Sequence, residues 1–174
     1  MRIGVLTLLF VLLYTQVVAQ SDKEATQTDS ILIINGDRLI PFMDSLKQAI
    51  YTDTIKFNRS NLVHTTNNTR NKEPYSSLYI VNGQYQYKLD IIESYQVAEF
   101  VNAVLNSSKV KSITVIEKAK VDKNYFPHIQ QNAIFITFYH QAKFNPKIAG
   151  LKRSRKNGGD NFNQRKKGEP MVLQ

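Results

Sequence analysis

SSLYIVNGQYQY, Ser76 to Tyr87, decides how the rest of the chain is read. An apolar run from Leu78 to Val81 meets Asn82-Gly83, and aromatic and amide residues then alternate. Asn-Gly between two such runs signals a β-hairpin, because a type I′ turn needs positive φ at both central residues. With Asn82-Gly83 as a two-residue loop, Val81 lies opposite Gln84, Ile80 opposite Tyr85, Tyr79 opposite Gln86 and Leu78 opposite Tyr87. Leu78, Ile80, Tyr85 and Tyr87 then share an apolar face that suits a core. Tyr79, Val81, Gln84 and Gln86 share the other face, half polar and open to solvent or a binding partner.

Outward from the hairpin the periods alternate between helix and strand. Toward the C-terminus, Asp90 with Glu93 fits a capping box. Ile91, Tyr95, Ala98, Val101 and Leu105 follow at helical spacing. KVKSITVIEK predicts a strand with Ile113 and Val115 on one side. NAIFITFYH predicts another, in which Ile134, Ile136 and Phe138 alternate with Phe135, Thr137 and Tyr139. Toward the N-terminus, ILIINGDRLI predicts a second hairpin around Asn35-Gly36, ended by Pro41. FMDSLKQAI then predicts a helix with Phe42, Leu46, Ala49 and Ile50 on its apolar side, and TIKFN a short strand through Ile55 and Phe57. Residues 58–76, rich in Asn, Thr and Ser, read as a loop. The expected fold class is α+β: a small mixed sheet with Asn-Gly hairpins and two helices, over residues 31–145. Both halves share an Ile-[Ile/Val]-Asn-Gly core, which raises a duplicated hairpin-helix-strand unit. The alternative is that Asn-Gly after an apolar strand is simply good turn chemistry.

The first twenty of the 174 residues, MRIGVLTLLFVLLYTQVVAQ, carry Arg2, an apolar stretch from Ile3 to Tyr14, and small residues at Val17 and Ala19. This is the pattern of a cleaved signal peptide, and its apolar core falls short of the roughly 20 residues of a spanning helix. Export to the periplasm or cell envelope is therefore expected. The chain has no cysteine, which excludes disulfide staples, a thiol nucleophile and a lipid-modified cysteine. Its formal charge of +9 is uneven. Lys152, Arg153, Arg155, Lys156, Arg165, Lys166 and Lys167 stand against Asp160 and Glu169 in the last 25 residues. Residues 146–174 are expected to be a disordered basic tail, suited to weak attachment to an anionic membrane surface and not to nucleic acid.

Catalytic patterns are lacking. His64, His128 and His140 lie far apart with no metal-ligand spacing, and read as ordinary surface histidines. There is no nucleophile elbow, P-loop or dinucleotide-binding glycine pattern. The pair Asp90 and Glu93 is better explained by a helix cap than by acid–base chemistry. The expectation is a non-enzymatic protein with no cofactor and no metal. The tyrosines suit cross-strand pairs, or, in the hairpin, a face that stacks on a sugar or peptide.

A longer pattern also emerges. SSLYIVNG, followed by KVKSITVIEKAKVDKNYFPHIQQNAIFITF, resembles the plug domain of TonB-dependent outer-membrane receptors. That family runs approximately P-L-Y-V-V-D-G, then D-I-E-S-I-E-V-L-K-D-A-S-A-x-x-L-Y-G, then A-N-G-V-I-L-I-T-T. Leu78 to Val81 and Gly83 match the first element, with Asn82 in place of its aspartate. From Val110 to Phe138 the pairing is ungapped, with Val110, Ser112, Ile113, Val115, Ile116, Ala119, Tyr125, Ile134, Ile136 and Thr137 on motif positions. Tyr125-Phe126 and the glycine-free IQQNA at 129–133 depart from it. The 36 residues after Phe138 hold no run of transmembrane strands of the kind that forms a receptor barrel. The resemblance implies a stand-alone plug-like module acting through protein–protein binding, with an outer-membrane receptor or a periplasmic protein as partner. The other reading is a small periplasmic protein that binds a glycan or peptide with the tyrosine-rich hairpin face.

Overall fold

The computed structural model describes residues 31–121, 131–152 and 160–172. The expected signal peptide, His128, Tyr125, and Arg153, Arg155 and Lys156 of the basic tail lie outside them. The elements are β1 (Ile31–Ile34), α1 (Leu39–Thr54), β2 (Leu62–His64), β3 (Thr69–Asn71), β4 (Leu78–Val81), β5 (Tyr85–Lys88), α2 (Ser94–Val104), β6 (Val110–Ile116) and β7 (Ala133–Phe138). Short 3-10 turns span Gly36–Arg38, Arg59–Asn61 and Lys118–Lys120. Five strands form one mixed sheet in the order β1-β6-β7-β4-β5, and β2 and β3 form a separate small hairpin. All pairs in the large sheet are antiparallel except β4 with β7. The α+β class with a small mixed sheet and two helices is what the sequence led us to expect.

Register and alternation assign the two faces of the sheet. Val81 pairs with Ile136, Tyr79 with Ile134, Ile136 with Ile113 and Ile113 with Ile34. These residues form the core face together with Tyr87 and Phe138, and the helices close over it through Leu39, Met43, Ile50, Val97, Phe100 and Val104. Phe100 is wholly buried and meets the rings of Tyr79 and Tyr87, with centroids 5.2 and 5.3 Å away. Edge-on ring pairs of this kind add to the area each ring removes from water.

The central hairpin forms, but its register differs by one residue from the expected one. Asn82 and Gly83 have φ of 52° and 68°, as the Asn-Gly signal requires, and Gln84 N–H closes the turn on Val81 C=O at 3.1 Å. The ladder then pairs Val81 with Tyr85 and Tyr79 with Tyr87, leaving Gln84 as an extra residue. A one-residue slip moves a whole strand's side chains to the opposite face. Tyr79, Val81, Tyr85 and Tyr87 therefore share the core side, and Leu78, Ile80, Gln86 and Lys88 the other. Strand β7 fixes this arrangement: Asn82 N–H donates to Ile136 C=O, and Asn82 Oδ1 accepts from Phe138 N–H, both at 2.9 Å.

The N-terminal expectations need larger corrections. Asn35-Gly36 does not turn a hairpin. Gly36 begins a 3-10 turn that runs directly into α1. Leu39, Met43 and Ile50 are buried on one side of that helix. Pro41 sits in the first turn, where its missing N–H costs no intrahelical bond. TIKFN is the frayed end of α1 and the turn after it, not a strand. Residues 58–76 are not all loop, since they contain the β2–β3 hairpin. With strand and helix but no hairpin or third strand, residues 31–57 do not repeat the hairpin-helix-strand order of the later half. Helix α2 begins at Ser94 and is capped by Glu93 with Gln96, whose Oε1 accepts Glu93 N–H at 3.0 Å. Asp90 takes no part in the cap, and Tyr95 faces solvent.

The described parts of the C-terminal segment pack against the domain. Ile148 and Leu151 are buried in the main core. Asp160, Asn161 and Gln164 are buried too. Asp160 makes a parallel bridge to Gln86, so the segment lies along the outer edge of β5. The expectation of disorder rested on charge and low hydropathy. In the described residues, the Asn161 side chain bonds an open sheet edge, a pairing that composition does not register.

Candidate functional site

The expected binding face does not exist as a surface. Tyr79 and Val81 are buried in the core, Gln84 is the exposed extra residue of the turn, and Gln86 lies half-buried on the opposite side of the sheet. The slip in register separates them. The rings of Tyr79 and Tyr87 pack on Phe100, and Tyr85 is half-buried against Phe144.

An exposed apolar surface lies at the other end of the sheet. Ile31 and Ile33 share the face away from the helices with Thr114 and Ile116 of β6 and with Ala133 and Phe135 of β7. Ile31, Leu32 and Ile33 are each about half exposed, at 51, 46 and 55%. Thr114, Ile116 and Phe135 are half-buried beside them. Strand β1 pairs with β6 on one side, and among the described residues no strand pairs with its other side. The C=O of Ile33 accepts a hydrogen bond from Arg38 Nη2 at 3.3 Å, the polar contact at this strand. Such an edge can take on a further strand.

The opposite edge is already covered. Asn161 N–H donates to Gln86 C=O at 3.2 Å, and the Asn161 side chain accepts from Lys88 N–H at 3.0 Å and donates to Lys88 C=O at 3.3 Å. The segment then crosses to β2–β3. Thr69 N–H donates to Phe162 C=O, Gln164 N–H to Thr69 Oγ1 at 2.9 Å, and Val172 N–H to His64 C=O at 2.8 Å.

A charged cluster pins this segment down. Glu169 receives Arg59 Nε at 2.5 Å and lies 3.1 Å from His64 Nε2. Arg59 Nη1 and Lys166 Nζ both reach Glu93 Oε1 at 2.9 Å. The Arg59 hydrogen bond chiefly lowers the Glu169 carboxyl, to about 2. Glu93 is also lowered, first by Lys166 and then by Arg59. His64 is no surface histidine: it is buried and its pKa is lowered, by desolvation above all. His140 is exposed, as expected. Thr69, His64 and Glu169 line up as a hydroxyl, an imidazole and a carboxylate. Thr69 is buried, however, and its oxygen already accepts the Gln164 amide, so the row closes a strap and presents no nucleophile to a substrate.

Of the expected attachment tail, Lys152, Arg165, Lys166 and Lys167 lie among the described residues. Lys152 Nζ is tied to Arg165 C=O, Arg165 Nε donates to Glu169 C=O at 2.7 Å, and Lys166 is paired with Glu93, while Lys167 is exposed. Asp90, expected at a helix cap, is wholly buried with Lys88 Nζ at 3.5 Å. Burial raises its pKa against the pull of that ammonium. Sequence reading missed Arg59, Thr69, Asn161, Gln164 and Glu169. One signal was legible: Glu169 is a lone acid following three basic residues.

No family model matches the chain, and no curated protein and no solved structure matches it either. Among the described residues, no helix is long and apolar enough to cross a membrane.

Proposed function

We propose that this chain is an exported, non-enzymatic module of the cell envelope, plug-like in kind, that works by binding another protein along β1. The partner supplies an extended segment that pairs with the outer edge of β1 and places apolar side chains against Ile31, Ile33 and the adjoining Ile116 and Phe135. One observation carries this reading: the two edges of the sheet are treated differently. The chain covers β5 with its own residues Asp160 and Asn161, while β1 keeps an apolar edge half exposed. Strand addition supplies main-chain hydrogen bonds for affinity and leaves specificity to alternate side chains.

The plug-like element of the reading is supported by position. The three stretches that carry the resemblance become β4, β6 and β7, adjacent strands at the centre of one sheet. Periplasmic or envelope location follows from the N-terminal pattern of Arg2, apolar stretch and small residues. The partner class is an outer-membrane receptor or a periplasmic protein.

The test places a photoreactive residue at Ile33 of the chain in its native envelope, with the same residue at exposed Lys56 as control. The reading expects one discrete adduct from position 33, lost when Ile31→Asp is added, while the Ile31→Asp chain keeps its melting temperature. Equal adduct patterns from positions 33 and 56, or an adduct indifferent to Ile31→Asp, would sink it.

A further inference from the structure

We propose that residues 160–172 form a pH-gated strap, held on the β5 edge by a neutral His64 and released as that imidazole gains a proton. The strap lies at the opposite edge of the sheet from β1, so the proposal stands whether or not a partner binds there.

Hydrogen-bond geometry fixes the protonation state of the closed form. Thr69 Oγ1 accepts the Gln164 amide and lies 2.9 Å from His64 Nδ1. Among the described residues, the Thr69 hydroxyl proton has no acceptor other than that nitrogen. The hydroxyl therefore donates to an unprotonated Nδ1, and the proton sits on Nε2, which lies 3.1 Å from Glu169 Oε2. The Thr69 hydroxyl then both accepts, from Gln164, and donates, to His64.

Protonation of His64 breaks this match. Nδ1–H would point at Thr69 Oγ1, and the hydroxyl proton would lose its partner inside a buried site. An unpaired buried polar group is costly. Desolvation by burial is the largest influence on His64 and lowers its pKa. Glu169 stabilises the imidazolium, while Arg59 from the turn before β2, and Arg165 and Lys152 from the C-terminal part, oppose it. The Glu169 charge is moreover already shared with Arg59 Nε and the Lys166 amide.

The sign follows by linkage. An imidazole that stays neutral in the closed form and titrates normally in the open form contributes fully to closure above about pH 6.5, and that contribution fades as pH falls. The strap carboxylate Glu169 is lowered to about 2, so its contribution begins to fade only near the ordinary glutamate value of about 4.3. Between roughly pH 7.5 and 5 the gate therefore belongs to His64. Opening frees Gln86 C=O and the Lys88 amide and carbonyl, converting a covered edge into one that can accept an extended segment.

The experiment is amide hydrogen exchange on the whole chain, expressed as protection factors so that the intrinsic pH dependence cancels, at steps from pH 7.5 to 5. Expected is a fall in protection at Lys88, Asn161 and Gln164 of up to about tenfold per unit by which the closed-form pKa lies below the open-form one. The Asn82 amide, bonded to Ile136 in the sheet centre, should hold its protection throughout. In His64→Gln the strap amides should lose their pH dependence over this range. Unchanged strap protection in the native chain, or an equal fall in His64→Gln, would overturn the proposal. Should His64→Gln fail to fold, the titration of His64 in the native chain decides: a value at or above 6.5 overturns the gate, and a lower one supports it.

Discussion

Replacing Asn161 with alanine tests whether the C-terminal segment is part of the fold. Asn161 is wholly buried, and its side chain gives and receives one hydrogen bond with the Lys88 backbone, at 3.3 and 3.0 Å. Alanine removes both and leaves the Lys88 N–H and C=O beneath the strap without partners. At about 1 kcal/mol for each lost bond, with a small addition for the vacated volume, the expected cost is about 2 kcal/mol. In urea, with a slope of roughly 1.5 kcal/mol per molar, the midpoint should fall by about 1.3 M if the strap unfolds together with the sheet. If the strap lifts separately, the cost appears instead as local opening, and the Lys88 amide should exchange about thirtyfold faster. Measuring both at pH 7.5 covers either route. A midpoint shift under about 0.3 M together with unchanged Lys88 exchange would refute the placement of the strap on β5 and restore the disordered tail.

Two further outcomes follow from the core and the charged cluster. Phe100→Ala should cost about 3–5 kcal/mol in chemical denaturation, because the ring is wholly buried between Tyr79 and Tyr87; a loss below about 1 kcal/mol would mean that α2 does not pack on this face. Glu169, lowered to about 2 mainly by its Arg59 hydrogen bond, contributes stability that is present above the ordinary value of about 4.3 and lost as pH falls toward 2, so Glu169→Gln should be less stable at pH 6 and show a flatter acid limb in melts from pH 5 to 2.5; parallel curves for the two proteins would contradict the cluster.

The centre of the sheet was legible in the sequence because its signals are local. Alternation in NAIFITF puts Ile134, Ile136 and Phe138 on one face, and the structure buries all three. Asn82-Gly83 turns as its φ requirement predicts. The register was not legible, since a two-residue loop and a loop with one extra residue fit the same letters. The bonds from Asn82 to Ile136 and Phe138 come from a strand more than fifty residues away. The same Asn-Gly signal misled at Asn35, where the chain passes through a 3-10 turn into α1 and buries Leu39, Met43 and Ile50 as a helical stripe. For the strap, composition carried no signal of the edge it lies on. Charge and amide content describe how a segment meets water, whereas Asn161 is held by a sheet edge that exists only after β4 and β5 have paired.

The contrast between the two edges also says what each can accept. Main-chain hydrogen bonding is nearly blind to side chains, so selectivity must come from the residues flanking each edge. At β5 those are Gln86 and Lys88, with Tyr85 and Tyr87 turned toward the core. The segment that pairs there is Asp160-Asn161, polar and rich in hydrogen-bonding side chains. At β1 they are Ile31, Leu32 and Ile33. A segment like Asp160-Asn161 would have to desolvate its side chains against these isoleucines without new partners, at a cost of about 1–3 kcal/mol for each unpaired group. The chain's own C-terminal part is therefore matched to β5 and mismatched to β1. Among the described residues, β1 accordingly has no strand on its outer side, while β5 carries Asp160-Asn161.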